Sequence, residues 1–238
     1  MDKIISYENL KRFAYTNEKI CKKPIKGVVI SFFGCGATFA SVNDEPSMGR
    51  YLAEMGILYI TPHNNPWSFM NKQAFNCTEE IMDVLFEHYK LPDDIPIVYS
   101  GGSMGGQSAL MYSALSKRKP VACVANCPAC DLVDKYKDEN FSRILYSAVY
   151  HEEGPIEKAL KKISPIYNID KLPNIKYYVF HCDKDEILDI KTNSDVLVEK
   201  MKDNFDITYH VSHGTGHVEL TPELQKLYDK YIIESILG

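Results

Sequence analysis

The stretch Ile95-Pro96-Ile97-Val98-Tyr99-Ser100-Gly101-Gly102-Ser103-Met104-Gly105-Gly106-Gln107-Ser108-Ala109-Leu110 is the one from which the fold can be read. It begins as a short apolar run, passes through the pattern G-x-S-x-G at Gly101, Ser103 and Gly105, and continues into small residues of helical composition. A serine on a tight strand-to-helix turn needs small neighbours, because strand and helix must approach closely around it. The helix behind such a serine brings free N–H groups and partial positive charge to the place where an oxyanion would develop. A phosphate loop is excluded because no Lys follows the glycines, and the spacing does not fit a dinucleotide fingerprint. A glycine-rich packing turn would also produce this composition, but the strand before and the helix after favour a nucleophile.

Moving outward, short β-rich runs alternate with amphipathic helices, which predicts βαβ units and a mainly parallel sheet. Strands are expected at Gly27–Phe33, Ile57–Thr61, Ile95–Ser100, Val121–Asn126, Lys176–His181 and Asp206–Val211, with Leu10–Thr16 as a further candidate. Asn76 reads as the N-cap of a helix running to Tyr89, with Glu79 three residues later and Ile81, Leu85 and Tyr89 on one stripe. Thr221-Pro222 opens a last helix whose Leu224, Leu227, Tyr228 and Tyr231 face inward. The alternation breaks between residues 131 and 172, too long a stretch for an ordinary βα connection and carrying a helix over Pro155–Ile163. It reads as a lid-sized insertion within a single domain spanning 1–238.

The chain has 238 residues, 45% hydrophobic and 25% charged, with a net charge of −5. That is an ordinary globular make-up, far from a disordered composition. The mild acidic excess offers no electrostatic footprint for nucleic acid. No apolar run approaches membrane-spanning length and the start lacks a signal-peptide pattern, so a cytoplasmic protein without membrane partner is expected. A homo-oligomer is allowed. The seven cysteines do not read as a disulfide framework. Cys127-Pro128-Ala129-Cys130 has the C-x-x-C spacing of a redox pair or half a zinc site, but it follows a strand in mid-chain and has no second pair, which favours core thiols.

A serine hydroxyl needs a base within hydrogen-bond reach and a third group to orient that base. In the order Ser, acid, His, the base falls after the last strand, where His217 is the first choice and His213 the second. His210, His213 and His217 also suggest a zinc site, but two glycines lie between the last two, the segment follows a strand and no Glu follows His213. Asp183, Asp185, Glu186 and Asp189 all cluster beyond the strand ending at His181, with Asp131 more distant, and spacing alone does not choose among them.

Taken together, these residues resemble the α/β-hydrolase fold family, in particular its small serine esterases and prolyl-oligopeptidase-like catalytic domains, from about Gly27 to the end of the chain. The resemblance implies a mainly parallel sheet flanked by helices, with a short helical lid. The family's G-x-x-D-x-x-V turn is matched by Cys182-Asp183-Lys184-Asp185-Glu186-Ile187-Leu188, with Cys for Gly, which selects Asp185 as the acid. Its G-x-G-H is matched by Gly214-Thr215-Gly216-His217, and Ser164-Pro165 resembles the S-P pair often found before the acid strand. The loop Phe33-Gly34-Cys35-Gly36 stands where the family has H-G-G, with Phe33 replacing His, and assigns the oxyanion donors to the backbone N–H groups of Cys35 and Met104. Only about 26 residues precede the first parallel strand, so the antiparallel pair that often opens the sheet is expected to be reduced.

The expected activity is hydrolysis of a small carboxylic ester through an acyl-enzyme on Ser103, with His217 as base, Asp185 as its orienter, and no metal or organic cofactor. Asn65 and Trp67 in the loop Pro62–Asn71, together with Tyr146 of the insertion, are the candidate substrate residues, suited to a short acyl, sugar or aryl ester, although Trp67 would equally pack its own loop. An oligopeptidase-like peptidase and a non-catalytic binding protein of the same fold are the alternatives.

Overall fold

A computed structural model describes residues 4–36 and 47–238. Seven strands form one sheet: β1 (Ala14–Thr16), β2 (Gly27–Phe32), β3 (Ile57–Pro62), β4 (Ile97–Gly102), β5 (Ala122–Asn126), β6 (Lys176–Cys182) and β7 (Asp206–Ser212). Their order is β1-β3-β2-β4-β5-β6-β7, and every neighbouring pair is parallel except β1 with β3.

The near-continuous apolar character of the central strands follows from burial on both faces. Successive side chains point to opposite sides of a strand. Val28, Ile30, Ile97, Tyr99, Cys123 and Ala125 therefore enter one core, shared with Ile81 of α2 (Lys72–Tyr89), Leu110 of α3 (Met104–Leu115) and Leu197 of α7 (Ser194–Met201). The residues between them, Val29, Val98, Ala122 and Val124, enter the other, with Leu52 of α1 (Ser47–Glu54) and Ile232 and Ile236 of α8 (Pro222–Leu237). Leu224, Leu227, Tyr228 and Tyr231 pack against this second core as expected, and the Thr221 hydroxyl accepts from the Leu224 N–H to cap α8.

Two local expectations change. The helix ending at Tyr89 begins at Lys72, and its cap is Asn71, whose side chain accepts from the Ala74 N–H. Asn76 is an exposed helical residue, and Glu79 is buried where its carboxylate accepts from the Tyr112 hydroxyl at 2.6 Å. The sequence around Asn76 resembles a start because Asx and Glu residues favour helix ends, yet five further residues, Lys72 to Asn76, extend the helix to a better cap. Of Leu10–Thr16, only Ala14–Thr16 pairs as a strand; Tyr7–Arg12 is a 3-10 helix. The antiparallel opening of the sheet is thus one three-residue strand among the described residues.

The segment between β5 and β6 holds three α-helices, α4 (Leu132–Lys135), α5 (Glu139–Val149) and α6 (Ile156–Lys162), followed by two short 3-10 turns. Their Leu132, Leu145, Ala148, Val149, Ala159 and Leu160 form a third core that includes Phe69 and Met104. The insertion therefore packs directly on the residue after Ser103. Two buried side-chain hydrogen bonds fasten it to the rest of the fold, and a third, from Gln107 to the Phe69 carbonyl, braces one of the donors. The Gln107 amide donates to the carbonyls of Phe69 and Ile163, at 2.9 and 2.6 Å. The Asn71 amide donates to the Ala148 carbonyl at 2.9 Å.

Candidate active site

β4, β5, β6 and β7 are parallel, so the chain leaves their carboxyl ends on one edge of the sheet. The loops bearing Ser103, Asp185 and His217 all start there. Crevices at the carboxyl edge of such sheets are where ligands bind.

Ser103 lies between β4 and α3 with φ 59° and ψ −124°, a strained backbone for a residue with a Cβ. The strain is held by packing that only glycine allows. A Cβ on Gly105 would overlap the Phe32 carbonyl oxygen, and one on Gly101 would lie 2.5 Å from the Gly105 carbonyl. The Ser103 N–H donates to the Asn126 carbonyl at 2.9 Å, which extends the β4–β5 ladder by one rung into the turn. Helix α3 then begins at Met104.

The Ser103 Oγ is 2.9 Å from His217 Nε2, and His217 Nδ1 is 2.7 Å from Asp185 Oδ2. A carboxylate accepts, so Nδ1 carries the proton and Nε2 is free to receive the hydroxyl hydrogen. The other Asp185 oxygen accepts from the N–H groups of Ile187 and Leu188, each at 2.9 Å. His181, fully buried, lies beneath: its Nε2 donates to the Leu188 carbonyl at 2.9 Å and is 3.4 Å from Asp185 Oδ2, while the Ser194 hydroxyl meets its Nδ1 at 2.7 Å. The Asp185 side chain is 1% exposed. Burial alone would raise its carboxyl, but hydrogen bonds from His181, His217 and the Leu188 N–H outweigh it and hold the group well below the usual carboxylate range. Asp185 is thus an anion sealed behind the imidazole.

The alternatives left open by the sequence fall elsewhere. His213 is 81% exposed and paired with Asp183 at 3.0 Å, and Asp183 also accepts from the Gly214 N–H, which fixes the loop before His217. His210 is stacked on Phe180 and meets the Tyr231 hydroxyl at 3.0 Å. The three histidines of the zinc reading are each committed to a different partner. Asp131 caps α4, and Asp189 accepts from the Lys191 N–H. Among the described residues one trio of candidate metal donors does converge, Cys127, His181 and Asp185, within 4.8 Å of one another. The oxygens of Asp185 and both nitrogens of His181 already have the partners described above. Cys127 and Cys130 are buried, and burial pushes both thiols up, as core thiols rather than redox nucleophiles.

The loop after β2 passes over the serine: a Cβ on Gly34 would lie 3.8 Å from the Ser103 Cβ. Cys35 follows, half-buried, with its thiol raised by burial. The Gly36 N–H donates to the Pro66 carbonyl at 2.9 Å, which ties this loop to the one carrying Trp67. Trp67 is 44% exposed, and the Asn65 side chain accepts from its N–H. Tyr146 is 49% exposed and edge-on to Tyr150. Two positions escaped the sequence reading. Gln107 and Asn126 look like ordinary polar residues in a small-residue helix and at a strand end, and only their buried partners mark them.

No family model matches this sequence, and no curated protein matches it. Solved structures do. A truncated carbohydrate esterase from gut microbiota superposes with TM-score 0.69 at 16% identity, covering 91% of this chain and 88% of its own. An S-formylglutathione hydrolase from Agrobacterium tumefaciens gives TM-score 0.68 at 15% identity, covering 89% and 84%. The fluorophosphonate-binding serine hydrolase FphF of Staphylococcus aureus gives 0.67 at 14%, covering 90% and 85%. With the parallel sheet and its strand order, these likenesses establish the α/β-hydrolase fold.

Proposed function

We propose that the protein is a serine hydrolase that cleaves carboxylic esters of small molecules through an acyl-enzyme. The observation that carries this reading is the unbroken relay from Asp185 through His217 to Ser103, at 2.7 and 2.9 Å. Ser103 Oγ attacks the ester carbonyl carbon as its proton passes to His217 Nε2. The sealed carboxylate of Asp185 stabilises the imidazolium and keeps the ring in the productive tautomer. The N–H groups of Cys35 and Met104 hold the oxyanion. The imidazolium then gives its proton to the leaving alcohol, and water repeats the sequence to release the acid. A binding protein that had abandoned catalysis would have no need of a strained serine and a desolvated acid, so the relay weighs against that alternative.

The apolar cluster around Met104 supports an apolar acyl group. Phe33, Cys35, Val133, Tyr136 and Phe141 are half-buried against it, and the first two belong to the loop proposed to hold the oxyanion. Asn65 and Trp67, joined to that loop through Pro66, are proposed on the alcohol side, where an aromatic ring beside an amide suits a sugar or aryl group. Tyr146 is proposed at the outer rim. The similarity to a carbohydrate esterase favours the sugar arm. Among the described residues no helix is long and apolar enough to cross a membrane, and all seven cysteines are free thiols, which fits a proposed cytoplasmic setting.

A panel of p-nitrophenyl esters from acetate to octanoate, run beside dipeptide amides, tests the reading. A burst of p-nitrophenol followed by steady turnover on short acyl chains is expected. Turnover of the amides without the esters would transfer the assignment to the peptidase, and no turnover of either would sink it.

A further inference from the structure

Asn126, the last residue of β5, binds the nucleophile turn and the histidine loop at once. Its backbone carbonyl accepts the Ser103 N–H at 2.9 Å, and its side-chain amide donates to the Val218 carbonyl at 3.0 Å. Val218 directly follows His217 and has φ 59°, a left-handed conformation that a β-branched side chain resists. Its side chain also leans on the turn: a Cβ on Gly102 would lie 3.3 Å from Val218 Cγ1. Gly102 is in turn the register partner of Asn126 across β4 and β5. Ser103 and His217 are 114 residues apart in sequence, and Asn126 hydrogen-bonds to the backbone of both loops.

The amide makes a poor case as a purely structural group. Its Oδ1 is buried and has no hydrogen-bond partner, so the side chain carries an unsatisfied acceptor to make its single bond to Val218. The amide's orientation is fixed by that bond, since the flipped form would set Oδ1 against the Val218 carbonyl oxygen. Leucine has nearly the same size and would remove the unsatisfied acceptor.

We infer that Asn126 is a positioning residue for acyl transfer, which holds Val218 in its left-handed conformation and thereby keeps His217 Nε2 at hydrogen-bond distance from Ser103. The inference deepens the proposed function and rests on it, but it is tested separately through the His217 proton. A short charge-assisted bond such as that from His217 Nδ1 to Asp185 gives a low-field proton resonance, assigned by its loss in Asp185→Asn.

The test uses the full chain and the variants Asn126→Leu and Asn126→Leu/Val218→Gly. Asn126→Leu is expected to melt within about 3 °C of the parent, to lose or broaden the low-field proton, and to drop kcat about 30-fold or more with KM changed less than about 3-fold. Glycine adopts the left-handed region without a tether, so Val218→Gly added to Asn126→Leu should restore the proton and regain about 5-fold or more in kcat. Should Asn126→Leu fail to fold, Asn126→Ser takes its place with the same readouts. A retained proton with kcat within about 2-fold of the parent overturns the inference, as does a double variant no better than the single one. If the parent hydrolyses no ester, the proposed activity falls, while the proton alone decides the positioning of His217.

Discussion

Asp185 Oδ2 receives His217 at 2.7 Å on its outer side and faces the fully buried His181 at 3.4 Å on its inner side. One carboxylate oxygen is thereby held between two imidazoles while the other takes two backbone N–H groups. All of the acid's hydrogen-bonding capacity serves its ionised form. An anion so committed has a consequence for stability as well as for chemistry.

That consequence is acid sensitivity. The folded carboxyl is depressed, whereas in the unfolded chain an Asp titrates near about 3.9. The unfolded state therefore binds more protons in acid, and the contribution of Asp185 is full above about pH 5 and lost as pH falls toward the folded value. Asp185→Asn should lose less stability than the parent between about pH 5 and pH 3, as read by thermal melts across that window. Its kcat near neutrality should fall by roughly 10⁴-fold, because the amide turns the imidazole to the wrong tautomer. Equal acid sensitivity in both proteins would show that Asp185 is not the charged group described.

Gln107 makes the insertion part of the body of the protein. Replacing it by Leu leaves the Phe69 and Ile163 carbonyls buried without their donor, at a cost of about 2–4 kcal/mol. Hydrogen exchange should rise in α5 and α6 more than in the central strands. Uniform protection would mean that the insertion is not fastened through this amide.

Gly105→Ala tests the turn itself. Its methyl group would overlap the Phe32 carbonyl, a backbone atom that cannot swing away. The variant should lose at least about 3 kcal/mol of stability, or fold with Ser103 displaced and inactive. Near-parent stability and turnover would contradict the close approach of β2 to α3.

The parts of this site that the sequence reveals are those whose residue types have no substitute. Small residues around Ser103 are required by the approach of strand and helix, and the strands of the central sheet are apolar on both faces, so six of the seven were found to within two residues at their ends. His217 follows from chain order. Asp185 did not follow from spacing, because four carboxylates share its loop; it was selected by resemblance, and the structure brings it to His217. Other features escaped because their signals are long-range. Asn71 outcompetes Asn76 as a cap only in three dimensions, Asn126 gains meaning only when Val218 arrives from residues later in the chain, and the three helices of the insertion are stabilised by Phe69 and Met104, which lie outside it. Residues 37–46, which follow the loop after β2, lie outside those described.

The relay from Asp185 to Ser103 is tested most directly by treating the folded protein with a fluorophosphonate and locating the adduct by mass spectrometry. A single adduct on Ser103 is expected, with the labelling rate reduced at least about 10³-fold in His217→Ala and left near the parent value in His213→Ala. An unlabelled Ser103, or labelling indifferent to His217, would contradict the nucleophile and base assigned to this site.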